Sequence, residues 1–258
     1  MPQEYWHRQT DQPLFPELEW SRPENKTHAG KLLIIGGNAQ GFAAPAQAYT
    51  AAEQAGVGSV RILLPDSLHK LVNNALLPGE FAPSTPSGSF SRQALDSFLD
   101  NAAWADAVLL AGDLGHNSET AIVLESFATK YSQPLTIVND AADYFLNDPQ
   151  TIISRPNTIL ILDLAQLQKL YKASHQTVAI TSAIDLMRLV ESLHDFTSQH
   201  AVNIIMKFQQ IILVACGGEV STTPVQAEDW QIATAAHASV WWLQNPSRMF
   251  EALTTSLL

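Results

Sequence analysis

One pattern repeats along most of this chain: a short aliphatic run, a break carrying glycine or proline, then a longer alanine-rich or amphipathic stretch. Residues 31–35 are apolar and stop at Gly36-Gly37, as a buried strand would. Residues 43–55 are alanine-rich and close on Gly56, as a helix would. The spacing then predicts strands over 60–64, 107–110, 135–138 and 158–162. It predicts helices over 93–104, with Ser91 as a cap, and over 118–130. A further helix is expected over 181–199, with Asp185, Arg188, Glu191 and Asp195 on its polar side. Strands at 202–206, 211–215 and 219–221 follow, then a long helix over 229–243, and Pro246 opens another at its first turn. Strands alternating with helices imply an α/β fold with parallel pairing. The closely spaced strands near 202–222 suggest an antiparallel edge. Residues 78–91, rich in proline, serine and glycine, are expected as an irregular surface loop. No internal repeat is visible.

The chain has 258 residues, 46% hydrophobic and 15% charged. That suits one large core over residues 30–258, preceded by an extension over 1–29 whose Trp6, Phe15 and Trp20 dock on it. A net charge of −11 argues against gripping a phosphate backbone, so nucleic acid is not an expected partner. Cys216 is the only cysteine, which excludes an intrachain disulfide and fits a reducing cytoplasm. No signal peptide precedes the first charges, and no apolar run reaches the roughly 20 residues that span a bilayer.

Four loops carry polar groups at predicted strand ends. Gly36-Gly37-Asn38-Ala39-Gln40-Gly41 has the right context for a dinucleotide site, but Asn38 replaces the middle glycine of that fingerprint and no Lys-Ser/Thr pair follows. A tight loop at a helix start remains, either as a ligand site or as a simple turn. In Gly112-Asp113-Leu114-Gly115-His116-Asn117-Ser118-Glu119, Asn117 or Ser118 caps the next helix. Asp113 either holds a ligand hydroxyl or is a turn aspartate. Asn139-Asp140-Ala141-Ala142-Asp143 offers two carboxylates, with Asp140 read first as a helix cap. Lys207 follows an apolar run, where a lysine can meet phosphate as a point charge. The histidines show no metal-ligand spacing, so no metal site is expected. Trp241-Trp242 suits a core or an interface between copies.

Taken in order, these loops resemble the NAD(P)H-hydrate dehydratase family, whose ribokinase-like domain is a three-layer sandwich with helices on both faces of a mostly parallel sheet. The resemblance covers about residues 26–255. It rests on Gly30–Gly37, on Ala55-Gly-Val-Gly-Ser-Val60, on the Ala105–Thr120 segment and on Pro134–Asp140. It implies an activity that dehydrates hydrated NADH and NADPH using ADP or ATP, with Mg²⁺ as a possible companion. Carried over residue by residue, it points to Gly36, Gly37, Asn38, Ala44, Asp113 and Gly115 for substrate. For nucleotide it points to Lys207, Phe208, Gln209, Gln210 and Ala238.

Two chemical motifs depart from the family. Asp163 stands where a histidine belongs. Ala235-Ala-His-Ala-Ser239 replaces Gly-Gly-x-Gly-Asp, so alanines crowd the anion hole and Ser239 takes the place of the catalytic aspartate. Losing a general base typically costs roughly 10²–10⁴ in rate. Three expectations follow. The first is a family member with lost or weak catalysis that keeps a nucleotide or dinucleotide cleft or serves as a partner subunit. The second is an active dehydratase whose acid–base group has moved to Asp113, Asp140 or Asp163. The third is a small-molecule kinase.

Overall fold

The computed structural model describes residues 4–72, 79–226 and 230–258. The first half of the chain contributes β1 (Trp6–Arg8), α1 (Glu17–Trp20), β2 (Lys31–Gly36), α2 (Ala43–Gln54), β3 (Ser59–Pro65), β4 (Gly79–Ala82), α3 (Ala94–Trp104), β5 (Ala107–Gly112) and α4 (Ser118–Lys130). The second half contributes β6 (Leu135–Val138), α5 (Asp140–Asp143), α6 (Gln150–Ile153), β7 (Thr158–Leu162), α7 (Leu164–Ala173), α8 (Leu186–Gln199), β8 (Asn203–Phe208), β9 (Ile211–Cys216), β10 (Glu219–Pro224), α9 (Gln231–Gln244) and α10 (Met249–Thr255).

The described strands form one sheet in the order β1-β10-β9-β8-β7-β6-β5-β2-β3-β4. From β8 through β4 every neighbouring pair is parallel, and β9 runs against both β8 and β10. The aliphatic runs read as continuous because both faces of the sheet are covered. Successive side chains on a strand point to opposite faces. Leu33 and Ile35 therefore join Phe98, Phe127, Leu170 and Phe196 on the face carrying α3, α4, α7 and α8. Leu32 and Ile34 join Ala48, Ala52, Ala236 and Trp242 on the face carrying α2 and α9. The result is an α/β three-layer sandwich.

The structure moves several expected boundaries. The helix expected from residue 181 starts at Leu186, because Asp185 is its N-cap: the carboxylate accepts from the Arg188 amide at 2.9 Å. Ser91 caps nothing in α3; its hydroxyl donates to the Pro83 carbonyl. Within the loop expected at 78–91, residues 79–82 are the edge strand β4 and Phe90 is fully buried, since its ring packs edge-on against Phe98. Pro246 lies before α10, which starts at Met249. Residues 78 and 229 of the expected elements lie outside the described residues.

The residues before β2 cross the far edge of the sheet and then the outer side of α9 and α10. β1 pairs with β10, and the buried Gln9 amide donates to the Thr254 carbonyl at 2.7 Å and to Thr223 Oγ1 at 3.2 Å. Leu18 is buried against Trp241 and Ala252, and the Arg22 guanidinium lies 4.8 Å from the Trp241 ring. Trp241 and Trp242 are only 7% and 1% exposed, so neither offers a face to a second copy. Trp20, expected to dock, is 89% exposed.

Candidate functional site

The chain order reverses across the sheet between β2 and β5: β3 and β4 lie on one side of β2, and β5 through β8 lie on the other. In open α/β sheets such a switch point opens a crevice at the strands' carboxyl ends. Here two loops meet in it. The Gly37 amide donates to the Gly112 carbonyl at 2.9 Å. A Cβ on Gly36 would sit 2.5 Å from that same oxygen, so no larger residue fits the approach. The Asn38 amide donates to the Asp113 carbonyl at 2.6 Å, while its own oxygen accepts from the Gln40 amide at 2.7 Å. Asp113 adopts the left-handed region at φ 57°. That turn aims its carboxylate across the crevice, where Oδ2 accepts from the Ala44 amide in the first turn of α2 at 2.7 Å. Gly36, Gly37, Asn38, Ala44, Asp113 and Gly115 are thus brought together, and Gly115 lies close against Asn38.

Asp140 does not cap its own helix. Its Oδ2 accepts from the Leu114 amide at 2.9 Å and the Gly115 amide at 3.2 Å, holding the loop after β5. Its Oδ1 is buried with no hydrogen-bond partner. Burial pushes this carboxyl above the usual aspartate range; the backbone donors oppose that rise, and the neighbouring Asp113 charge adds to it. Tyr144 donates its hydroxyl to the Gly115 carbonyl and accepts from the Asn117 amide. Asn117 caps α4, accepting from Glu119 at 2.8 Å and Thr120 at 3.3 Å.

Beside this loop cluster a cleft of about 470 Å³ is lined by His116, Asp140, Asp143, Tyr144 and Lys169 among others. Lys169 pairs with Asp143 at 2.7 Å, which holds the lysine above its ordinary range. A larger hollow of about 800 Å³ lies at the end of α7 around Tyr171 and His175, with no strand end in its wall. The smaller cleft is the chemically better furnished of the two. Sequence reasoning missed Lys169 because the whole of α7 was passed over. The signal was present in the apolar spacing of Leu164, Leu167, Leu170 and Tyr171.

Asp163, by contrast, is consumed by structure. It is the N-cap of α7 in a capping box: its carboxylate accepts from the Gln166 amide at 2.7 Å, and Gln166 Oε1 accepts from the Asp163 amide at 3.2 Å. The Asp163 side chain is committed to the first turn of that helix.

The segment 235–239 is not a loop. It lies inside α9, which begins at Gln231, so its amides serve the helix ladder. Alanine is the strongest helix former and glycine among the weakest, so exchanging glycines for alanines favours helix over an open anion-binding turn. Ala238 is fully buried. Ser239, 1% exposed, donates its hydroxyl to Thr136 Oγ1 at 2.8 Å and is placed equally to bond the Ala235 carbonyl at 2.7 Å. A nucleotide phosphate does not fit against these residues. Lys207 and Phe208 end β8, and Gln209-Gln210 is a two-residue hairpin turn with Gln209 at φ 55°. Phe208 is 9% exposed and packs in the core cluster beneath the hairpin. Among the described residues, no group of three or more histidine, cysteine or acidic side chains is placed to hold a metal ion. No described helix is long and apolar enough to cross a membrane.

No family model matches the chain. Sequence comparison finds two curated relatives, each called a bifunctional NAD(P)H-hydrate repair enzyme. One, from Methanothermobacter thermautotrophicus, is 34% identical over 97 residues, covering 38% of this chain and 18% of that protein. The other, from Moorella thermoacetica, is 27% identical over 127 residues, covering 48% of this chain and 24% of that protein. Over those segments the chain is similar to NAD(P)H-hydrate repair enzymes. The matched segment spans about a fifth to a quarter of those two relatives. Solved structures carry the same fold. A ribokinase-like superfamily protein from Enterococcus faecalis superposes with a TM-score of 0.73 at 16% identity, over 99% of this chain and 86% of that one. An ADP/ATP-dependent NAD(P)H-hydrate dehydratase from Bacillus subtilis, co-crystallised with ATP and Mg²⁺, gives 0.64 at 14% identity, over 95% and 86%.

Proposed function

We propose that this chain is a dehydratase-like scaffold that has lost efficient nucleotide-driven dehydration and retains a polar cleft for a small molecule or for a role beside a partner protein. One observation carries the reading: residues 235–239 run inside a buried helix, with Ser239 hydrogen-bonded to Thr136 in the core. A phosphate seat needs free amides, and a general base needs a group that accepts a proton near neutral pH. This segment supplies neither. Catalysis through ADP or ATP is therefore not routed through it. The single buried cysteine and the acidic surface suit a cytoplasmic protein.

The test is direct. Purified protein is incubated with hydrated NADH and ADP or ATP, and NADH recovery is followed. Recovery no faster than without protein is expected. Nucleotide-dependent recovery would defeat the proposal.

A second reading keeps the activity and moves the acid–base group. Asp140 is favoured for it over Asp113 and Asp163, because Asp140 lines the cleft with a buried, unpartnered oxygen and a carboxyl raised by burial, whereas the Asp113 and Asp163 carboxylates are engaged by the Ala44 and Gln166 amides. Turnover that disappears in Asp140→Asn would select this reading. No specific observation favours the small-molecule kinase, which needs a phosphate seat that residues 235–239 do not form.

A further inference from the structure

We infer that Asp113 is a specificity-determining residue that closes the switch-point crevice to anionic ligands. This goes beyond the proposed loss of catalysis, which rests on α9, a different element. The N-terminus of a twelve-residue helix carries a partial positive charge and free amides. In this chain a carboxylate already lies there: Asp113 Oδ2 is 2.7 Å from the Ala44 amide nitrogen.

The placement is held from behind. Asp113 takes the left-handed backbone conformation, and the Asn38 amide grips its carbonyl at 2.6 Å. The loops on either side are joined by the Gly37–Gly112 hydrogen bond, which fixes the backbone from which the carboxylate projects. Asp140 stands next to it, close enough that the two carboxylates repel. An arriving phosphate would face two carboxylates before reaching any free amide. Like charges at such range repel most strongly where water is excluded. The crevice therefore favours neutral or cationic groups over phosphates.

Pyrophosphate is the probe. Wild type, Asp113→Gly and Asp113→Asn are titrated calorimetrically, and the Ala44 amide resonance is followed by NMR. Glycine suits the left-handed backbone, and asparagine keeps the shape while removing only the charge, so the test survives if one variant fails to fold. Each folded variant is expected to bind pyrophosphate at least roughly tenfold more tightly than wild type, with the Ala44 resonance moving on binding. Equal affinity across the three proteins, whether measurable or absent, would overturn the inference. Because the readout is binding, its failure is separable from that of the proposed function, which is read by NADH recovery.

Discussion

At the level of single residues, Ser239 and Asp140 show how environment decides what a polar group can do. Ser239 is almost fully buried, with its hydroxyl in reach of Thr136 Oγ1 and the Ala235 carbonyl. Writing an aspartate into that position would bury a carboxylate beside the Ala235 carbonyl and the Thr136 hydroxyl. An unpaired buried charge is costly enough that Ser239→Asp is expected to lose about 3 kcal/mol or more, measured by urea unfolding, and to gain no dehydratase activity. A variant as stable as wild type would mean that the site is open to water. Asp140 illustrates the opposite case, a carboxylate kept near the surface of a cleft by two backbone amides while its second oxygen lies unpartnered.

At the level of elements, α9 is the part of the molecule that departs furthest from a loop-borne phosphate site. Its alanines pack closely against those of α2, and both helices cover the same face of the sheet. Glycine in a helix interior costs about 1 kcal/mol relative to alanine. The double substitution Ala235→Gly with Ala236→Gly is therefore expected to lower stability by about 2 kcal/mol in denaturant melts, with reduced helical circular dichroism. Unchanged or raised stability would argue that this stretch prefers an open turn. The helix caps divide by reach. Asn117 was legible as a cap because the amides it meets lie two and three residues ahead. Asp113 and Asp140 were not, because their donors lie 69 and 26 residues away along the chain.

For the molecule as a whole, the residues before β2 act as a strap over the outer side of α9 and α10. Leu18 fills the space above Trp241 and Ala252, and Glu17 pairs with Arg248 on α10. The exposed ion pair contributes little, so apolar burial carries the attachment. Leu18→Ala is expected to cost about 2–3 kcal/mol and to shift tryptophan fluorescence toward the red as water reaches Trp241. An unaltered emission spectrum together with an unaltered melting temperature would show the strap to be dispensable.

The sheet, its parallel core and most of its helices were readable from the chain alone, because two-sided burial of strands and one-sided burial of helices leave periodic apolar marks. What tertiary structure alone decided is the fate of the candidate site residues. Residues 235–239 became helix instead of a crowded loop, Asp163 became a cap, and Asp113 reached across to α2. Each outcome depends on which distant amide lies within about 3 Å of a side chain. Sequence spacing does not encode that distance; the packing of the loops at the sheet's carboxyl edge does.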